Sequence, residues 1–281
     1  MTNSFSKSLT TESSLPMSQD FVDVAVDARG VATVTLTNPD KHNAFDDVII
    51  ARLTQVFDYL DTHAEVRVVV IAAQGKSFSA GANLAWMKRM ASYSYDENLA
   101  DANALAIMLK KLNFLQKPTI AKVQGAAFGG AVGLVSCCDI AIASDKASFC
   151  LSEVKLGLIP ATISPYVVQA MGVKAARRYF QTAERFFAEQ AQQLGLVDQV
   201  VAADALDEAT DAMVQTILAN SPAAVQQAKQ LVFDVAQQSI DDALLQDTSE
   251  RIARIRVSEE GQEGLQAFFE KRQPAWKNKQ P

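Results

Sequence analysis

Two glycine-rich turns are the segments of this sequence best suited to chemistry. They are Ser79–Asn83 (Ser-Ala-Gly-Ala-Asn) and Gly125–Gly130 (Gly-Ala-Ala-Phe-Gly-Gly), and each lies between an apolar, strand-like segment and a helix-like one. Glycine and alanine leave the main chain uncovered, so two such turns can point N–H groups at one oxygen atom, and helix N-termini favour negative charge there. The pattern predicts a site that stabilises an enolate, although tight packing of a strand on a helix also selects these residues.

Other enzyme motifs built on glycine and serine are absent or incomplete. The sequence has no G-x-G-x-x-G, and its one P-loop-like glycine spacing is followed by Ala131-Val132 where Lys and Ser or Thr are required. Ser79 lacks the first glycine of the G-x-S-x-G elbow, and only His42 and His63 are present to act as a base. Dinucleotide binding, nucleoside triphosphate binding and serine hydrolysis are therefore disfavoured.

Composition bounds the class of partner. The chain has 281 residues, 49% of them hydrophobic and 21% charged, so it can bury a large core. Its net charge is -6 and its isoelectric point is about 5.1. Because phosphate binding needs clustered Lys and Arg, and no such stripe is found, a nucleic-acid partner is not expected and small-molecule chemistry is favoured.

Cysteine usage and the N-terminal segment indicate the compartment. The cysteines Cys137, Cys138 and Cys150 have no spacing typical of a disulfide framework or a zinc site, so we expect a reducing, cytoplasmic compartment and no metal. Residues 1–18 are rich in Ser and Thr, match no secretory or transit pattern, and are predicted to form a disordered tail, with Met17 as an alternative start. No apolar run reaches about 18 residues, so no membrane-spanning helix is expected.

The first elements are readable from periodicity. Residues 21–26 and 31–36 alternate β-branched side chains around a turn at 28–30, which predicts a hairpin. Apolar residues then recur with helical period from Ile49 to Leu60. Residues 66–72 are almost continuously apolar, as in a strand covered on both faces.

Later segments repeat the strand–helix order. Residues 119–123 and 139–143 are predicted buried strands, with a helix over about 96–115 before them. Repeated units of this kind predict an α/β fold with a mostly parallel sheet. Beyond about residue 202 only helical signals occur, so we divide the chain into a core of residues 19–201 and a helical region of residues 202–281.

Taken in order, these segments resemble the crotonase, or enoyl-CoA hydratase/isomerase, superfamily over about residues 21–275. The resemblance implies a crotonase-like α/β fold of repeated ββα units with an all-helical C-terminal region that assembles into homotrimers, or into hexamers made of two trimers. The similar segments are residues 38–44, 78–84, 125–130, 138–140, 149–154, 157–160, 188–191, 195–197 and 263–272.

The resemblance also implies roles for particular residues. The main-chain N–H groups of Ala80 and Gly130 are expected to form the oxyanion hole for the carbonyl of a CoA thioester. No metal or redox cofactor is implied, because CoA is part of the substrate. The residues expected to contact the CoA portion are Lys41, His42, Ala44, Ala82, Asn83, Leu84, Phe268 and Lys271.

Glu153 is the expected acid/base. It follows a short predicted strand, and burial in an apolar pocket raises the pKa of a carboxyl group because the charged form is desolvated. A positioned acid/base contributes roughly 10²–10⁴-fold to a rate. An isolated Glu at this position is also explained as a partner of a helix dipole, but the match of residues 149–154 to the superfamily favours catalysis.

Gly133 marks a departure from many hydratases of this superfamily. Those enzymes carry a second catalytic Glu three residues after the oxyanion glycine, a position we place at the substrate. Hydration needs a proton on one carbon and an activated water on its neighbour, whereas one base can move a proton between C2 and C4. An enoyl-CoA isomerase with a single Glu is therefore the main alternative to a hydratase.

The local sequence also suggests a substrate class. Residues 125–134, 137–139 and 149–154 look most similar to bacterial methylglutaconyl-CoA hydratases of leucine catabolism and to paralogues that act on isohexenylglutaconyl-CoA in acyclic terpene degradation. Both substrates carry a carboxylate on the acyl chain, and our hypothesis is that this or another polar group orders the water. A non-catalytic acyl-CoA-binding scaffold is a third reading, which the retention of Glu153 and both turns disfavours.

Overall fold

Between residues 18 and 277, the range that the computed structural model describes, the chain forms eleven strands, ten α-helices and short 3₁₀ turns. The strands are β1 (Ser18–Gln19), β2 (Val22–Val26), β3 (Val31–Leu36), β4 (Val68–Ala73), β5 (Ser77–Ser79), β6 (Thr119–Val123), β7 (Ala126–Phe128), β8 (Ile140–Ser144), β9 (Ser148–Cys150), β10 (Phe186–Phe187) and β11 (Gln199–Val201). The helices are α1 (Asp47–Thr62), α2 (Leu84–Met90), α3 (Tyr95–Asn113), α4 (Gly130–Cys137), α5 (Ser164–Thr182), α6 (Ala188–Gln193), α7 (Leu206–Leu218), α8 (Pro222–Val235), α9 (Asp242–Arg256) and α10 (Glu259–Glu270).

The larger sheet has seven strands in the order β1-β2-β3-β4-β6-β8-β11. β2 and β3 form the predicted antiparallel hairpin, and β3, β4, β6, β8 and β11 run parallel. In β4, Val69 and Ile71 belong to the main core, while Val68 and Val70 belong to a second cluster with residues of α7. A sheet covered on both faces explains the continuous apolar run at this strand.

The smaller sheet has four strands in the order β10-β9-β7-β5, of which β5, β7 and β9 are parallel. The sequence predicted only the short strand before Glu153. The prediction of one turn over Gly125–Gly130 is corrected, because Ala126–Phe128 forms β7 within it. Strands of two or three residues are too short to show a period of their own. Each of β4, β6 and β8 is thus followed by a small-sheet strand and a helix, which confirms the repeated ββα units.

The chain is helical after the last strand ends at Val201. α7 covers one face of the larger sheet, and α10 packs against α8 and α9. Ser221 caps α8 by accepting a hydrogen bond from Ala224 N–H, with Pro222 in the first turn. The Lys229 ammonium joins α8 to the core through Asp139 Oδ2 at 2.7 Å.

Two predictions concern other parts of the chain. The disordered tail and the alternative start at Met17 fall on residues 1–17, outside the described range, and Ser18 begins β1. None of the helices within residues 18–277 combines the length and apolarity needed to cross a lipid bilayer.

Gly125 provides a test of how closely the segment that enters β7 approaches the segment that enters β5. A Cβ atom at this position would lie 2.0 Å from the carbonyl oxygen of Lys76, just before β5. Gly125→Ala should therefore lower the free energy of unfolding by about 3 kcal/mol. Gly157→Ala, where φ is +74°, ψ is 17° and nothing lies within 4 Å, should cost only about 1–2 kcal/mol. Equal losses in urea unfolding would contradict the contact between Gly125 and Lys76.

Candidate active site

The carboxyl ends of β5, β7 and β9 bring three segments to one edge of the smaller sheet. Ser79 pairs with Ala127, and Phe128 pairs with Cys150, so the residues that follow these strands are neighbours. They are the first glycine turn, the second glycine turn and the segment that leads to Glu153. Catalytic groups commonly lie at this edge of parallel sheets, because the chain leaves each strand there.

Close contacts show that these segments converge. A Cβ atom on Gly129 would lie 3.3 Å from Oε1 of Glu153 and 4.0 Å from Cα of Gly81. Gly129 has φ +54° and Gly81 has φ +93°, both in the region that favours glycine. The two turns and the Glu153 carboxyl group therefore occupy one small volume, which any side chain at Gly129 would invade.

Glu153 begins a 3₁₀ turn, Glu153–Leu156, and is partly buried. Its Oε2 atom is buried and has no hydrogen-bond partner within residues 18–277. Burial raises the pKa of this carboxyl group, and a hydrogen bond to its own main chain only partly opposes the shift. A carboxyl group with a raised pKa and a free oxygen is suited to accept and return a proton.

The structure corrects the prediction that Ala80 supplies an oxyanion N–H. The Ala80 N–H already donates to the carbonyl oxygen of His42 at 2.9 Å. An N–H that is paired within the protein is not available to a substrate oxygen without breaking that bond.

Ala82 supplies the better donor in the first turn. It forms a parallel bridge with Phe45, in which Phe45 N–H donates to Gly81 and Asn83 N–H donates to Phe45, each at 2.7 Å. In a parallel bridge, the residue whose two neighbours make the hydrogen bonds, here Ala82, points its own N–H away from the partner segment. The Ala82 N–H therefore faces the β7 side, and it has no acceptor among the described residues.

Gly130 carries the second candidate N–H group. It is the first residue of α4, so its N–H has no partner within the helix, and the described residues provide no other acceptor. Gly129 N–H is instead bonded to Cys150 O at 2.9 Å, which fixes the turn to β9. The positive end of the α4 dipole adds to the attraction for an oxyanion.

Gly133, three residues after Gly130, packs against a wall of apolar side chains. A Cβ atom there would lie 2.3 Å from Cγ2 of Ile163 and 3.5 Å from Cδ2 of Leu109. Ile163 is 2% exposed. The position where many hydratases carry a second Glu thus has no room for a side chain, and Ile163 fills the space.

The residues predicted to contact CoA divide into two groups. Lys41 and His42 are exposed near the first turn, Ala44 is buried beside them, and the Leu84 side chain is exposed at the start of α2. The Asn83 side chain caps α2 by accepting a hydrogen bond from Ala85 N–H at 2.9 Å. The remaining two, Phe268 and Lys271, lie at the end of α10 in the C-terminal helical region, apart from this cluster.

Two residues of the site escaped the sequence reasoning. Asn43 lies in the Lys41–Ala44 motif, and its side chain is hydrogen-bonded to main-chain groups near β5. Ile163 lies in a segment without a motif and reaches Gly133 only through the tertiary fold. The sequence held a partial signal for Asn43, because Asn tolerates the left-handed region better than most residues and Asn43 has φ +53°.

Comparisons with known proteins agree with this geometry. Residues 27–279 match the profile of the family described as enoyl-CoA hydratase/isomerase. An enoyl-CoA hydratase structure from Shewanella pealeana has 51% identity and a TM-score of 0.88, covering 92% of this chain and 96% of that one. An enoyl-CoA hydratase structure from Mycobacterium smegmatis has 34% identity and a TM-score of 0.87, covering 92% and 100%. The short-chain-enoyl-CoA hydratase of Clostridium acetobutylicum is 32% identical over 248 residues, covering 86% and 92%.

The raised pKa of Glu153 predicts a pH-dependent stability difference. A carboxyl group with a raised folded pKa stabilises the fold fully below its ordinary value of 4.5, and this contribution is lost as the pH rises through the folded value. The free energy of unfolding of Glu153→Gln should therefore increase relative to wild type between about pH 4 and pH 8. Urea unfolding across this range is the measurement, with the exposed Glu189→Gln as control. A difference that stays constant with pH would contradict the burial of the charge.

The wall at Gly133 predicts a coupled pair of substitutions. Gly133→Ala should cost about 1–3 kcal/mol because its Cβ overlaps Ile163, and Ile163→Gly should cost about 2–5 kcal/mol because it opens a cavity. The double variant should be more stable than the sum of the single losses by about 1 kcal/mol or more. Strict additivity in a double-mutant cycle would show that the two positions do not touch.

Proposed function

The chain belongs to the enoyl-CoA hydratase/isomerase family, and on that basis we propose that it hydrates an enoyl-CoA with a second carboxylate on its acyl chain, namely methylglutaconyl-CoA or isohexenylglutaconyl-CoA. The observation that carries the proposal is the meeting of Glu153 with the two glycine turns at the edge of the smaller sheet. The substrate class rests on the local sequence around residues 125–134 and 149–154.

In the proposed reaction, the Ala82 and Gly130 N–H groups donate to the thioester oxygen. The Glu153 carboxylate takes a proton from a water molecule as its oxygen bonds to C3, and electrons move through C2 onto the thioester oxygen. The two N–H groups stabilise the resulting enolate, where one such donor is typically worth 10²–10³ in rate. Protonated Glu153 then returns the proton to C2, so one water molecule is added and the carboxylate is regenerated.

The raised pKa of Glu153 supports this single-carboxyl route. A group that is both base and acid in one cycle works best when its pKa lies near the working pH. Since no second carboxylate fits at Gly133, the carboxylate of the substrate is the proposed group that helps to hold the water.

Isomerisation of an enoyl-CoA is the second candidate, and the closed wall at Gly133 is the observation that favours it. One carboxyl group can remove a proton at C2 and deliver it at C4 without any water. A non-catalytic acyl-CoA-binding role is less favoured, because a buried, unpaired carboxyl oxygen costs stability and has no use in a scaffold.

The proposed CoA site uses the exposed loop at Lys41, His42 and Ala44, together with Ala82 and the exposed Leu84. Asn83 keeps α2 in place beside them through its cap. Proton transfer and carbonyl polarisation are the only steps in the proposed chemistry, so no metal or redox cofactor is invoked.

A homotrimer, or a hexamer of two trimers, is the proposed assembly. Large apolar side chains are exposed on the C-terminal helices, and Phe268 and Phe269 are 78% and 75% exposed. Exposed apolar patches of this kind mark association surfaces. We propose that Phe268 and Lys271 approach the CoA end of the site of a neighbouring subunit. The cytoplasm remains the predicted compartment, on the basis of the free cysteines.

The proposed reaction is tested with methylglutaconyl-CoA, isohexenylglutaconyl-CoA, crotonyl-CoA and a 3-enoyl-CoA in deuterium oxide. A 3-hydroxyacyl-CoA product that forms fastest from the two carboxylated substrates is expected. Deuterium exchange with a moved double bond and no hydroxyacyl product would establish the isomerase instead.

Glu153→Gln should lower kcat roughly 10²–10⁴-fold, because the carboxyl group proposed to move the proton is lost. Glu189→Gln, an exposed carboxyl group on α6, is the matched control and should leave kcat unchanged. If Glu153→Gln kept the wild-type rate on every substrate, Glu153 could not be the acid/base.

A further inference from the structure

We propose that Asn43 is a positioning residue, whose side-chain amide fixes the first glycine turn so that the Ala82 N–H meets the thioester oxygen. The inference rests on the proposed function, because it states how the same oxyanion site is held in place. Asn43 does not touch the reacting atoms in this account, and it acts through the main chain of residues 42–45.

Four hydrogen bonds connect Asn43 to neighbouring segments of the fold. It is 1% exposed, and its Nδ2 donates to the carbonyl oxygens of Gln74 and Ser77 at 2.8 and 2.9 Å. Its Oδ1 accepts from Asn38 N–H at 2.9 Å, and its own N–H donates to Asn38 O at 2.8 Å. The amide thus closes the 38–43 loop and joins it to the start of β5.

The residues around Asn43 hold the turn itself. His42 O accepts the Ala80 N–H at 2.9 Å, and Phe45 brackets Ala82 with two hydrogen bonds of 2.7 Å. Asn43 lies between these two contacts and anchors the segment to Ser77, at the other end of β5. The strand that leads into the turn and the segment that runs beside it are therefore fixed to each other both before and after the strand.

The Asn43 hydrogen bonds should affect the catalytic rate because they set the position of the Ala82 N–H. An oxyanion donor works at 2.7–3.1 Å from the developing charge, and a misplacement of about 1 Å can cost 10²-fold. Without the two Nδ2 bonds, residues 42–45 lose their attachment to Gln74 and Ser77, and the Ala82 N–H loses its fixed direction. Asn43 also lies in the loop of the proposed CoA contacts Lys41, His42 and Ala44, so KM should rise as well. Because its two Nδ2 bonds fix residues 42–45 beside the turn, kcat should fall more than KM rises.

Two variants separate positioning from simple folding. Asn43→Asp keeps the size of the side chain and the acceptor for Asn38 N–H but removes both donors. Asn43→Gly removes the side chain and still allows the left-handed φ of +53°. The matched control is Asp139→Asn, since Asp139 Oδ2 is also a multiple hydrogen-bond partner, with Thr119 and Lys229, but lies at the amino end of β8.

The experiment measures kcat, KM and thermal unfolding, and adds a readout that needs no turnover. 4-(Dimethylamino)cinnamoyl-CoA is a chromophore whose absorption shifts to the red when hydrogen bonds polarise its thioester carbonyl. For both Asn43 variants we expect kcat to fall roughly 100-fold, KM to rise by less than about tenfold, and the red shift to fall by at least half. Asp139→Asn should be less stable and should keep the wild-type kcat and red shift.

The outcomes distinguish this inference from the proposed function. Folded Asn43 variants with wild-type kcat and red shift, or with a loss confined to KM, would overturn the positioning role. Wild-type protein that shifts the absorption of the chromophore but hydrates no enoyl-CoA would refute the proposed reaction. The red shift would still measure the effect of the Asn43 variants. Wild-type protein that gives no red shift would refute both.

Discussion

The close approach of Gly81, Gly129 and Glu153 is the constraint on which this site depends. The space between the two turns and the carboxyl group has room only for main chain, since a Cβ atom at Gly129 would lie 3.3 Å from Oε1 of Glu153. Three short parallel strands bring the segments to this point, and their pairing within the smaller sheet sets their register. A fold with two sheets thus places N–H groups from distant parts of the chain beside one acid/base.

The residues around the Glu153 carboxyl group favour its reactivity over the stability of the fold. Glu153 Oε2 is buried and has no hydrogen-bond partner among the described residues, and burial raises the pKa of the carboxyl group. Ile163 fills the space where a side chain at Gly133 would lie. In the first turn, by contrast, main-chain bonds with His42 and Phe45 hold the backbone, and the Asn43 side chain fixes the segment beside it. An acid with one free oxygen beside a well-held backbone is the arrangement expected of a preorganised active site.

The sequence predicted local secondary structure well and contacts between distant segments poorly. Periodicity predicted the β2–β3 hairpin, α1 and the buried strands. The resemblance pointed to Gly130 and Glu153, and the structure brings the second glycine turn and Glu153 together, while their catalytic roles stay predictions. Ala80 was the wrong donor because its pairing with His42 depends on a contact between segments far apart in the chain. The three-residue strand β7 and the filling of Gly133 by Ile163 were missed for the same reason, as neither leaves a local pattern.

A crystal structure with bound acetoacetyl-CoA tests the central claim most directly, because it locates the thioester oxygen relative to the three converging segments. We expect this oxygen about 2.7–3.1 Å from the main-chain nitrogens of both Ala82 and Gly130, with the Glu153 carboxyl group facing C2. The Ala80 N–H should remain bonded to the carbonyl oxygen of His42. A thioester oxygen bonded to Ala80, or placed away from Glu153, would contradict it.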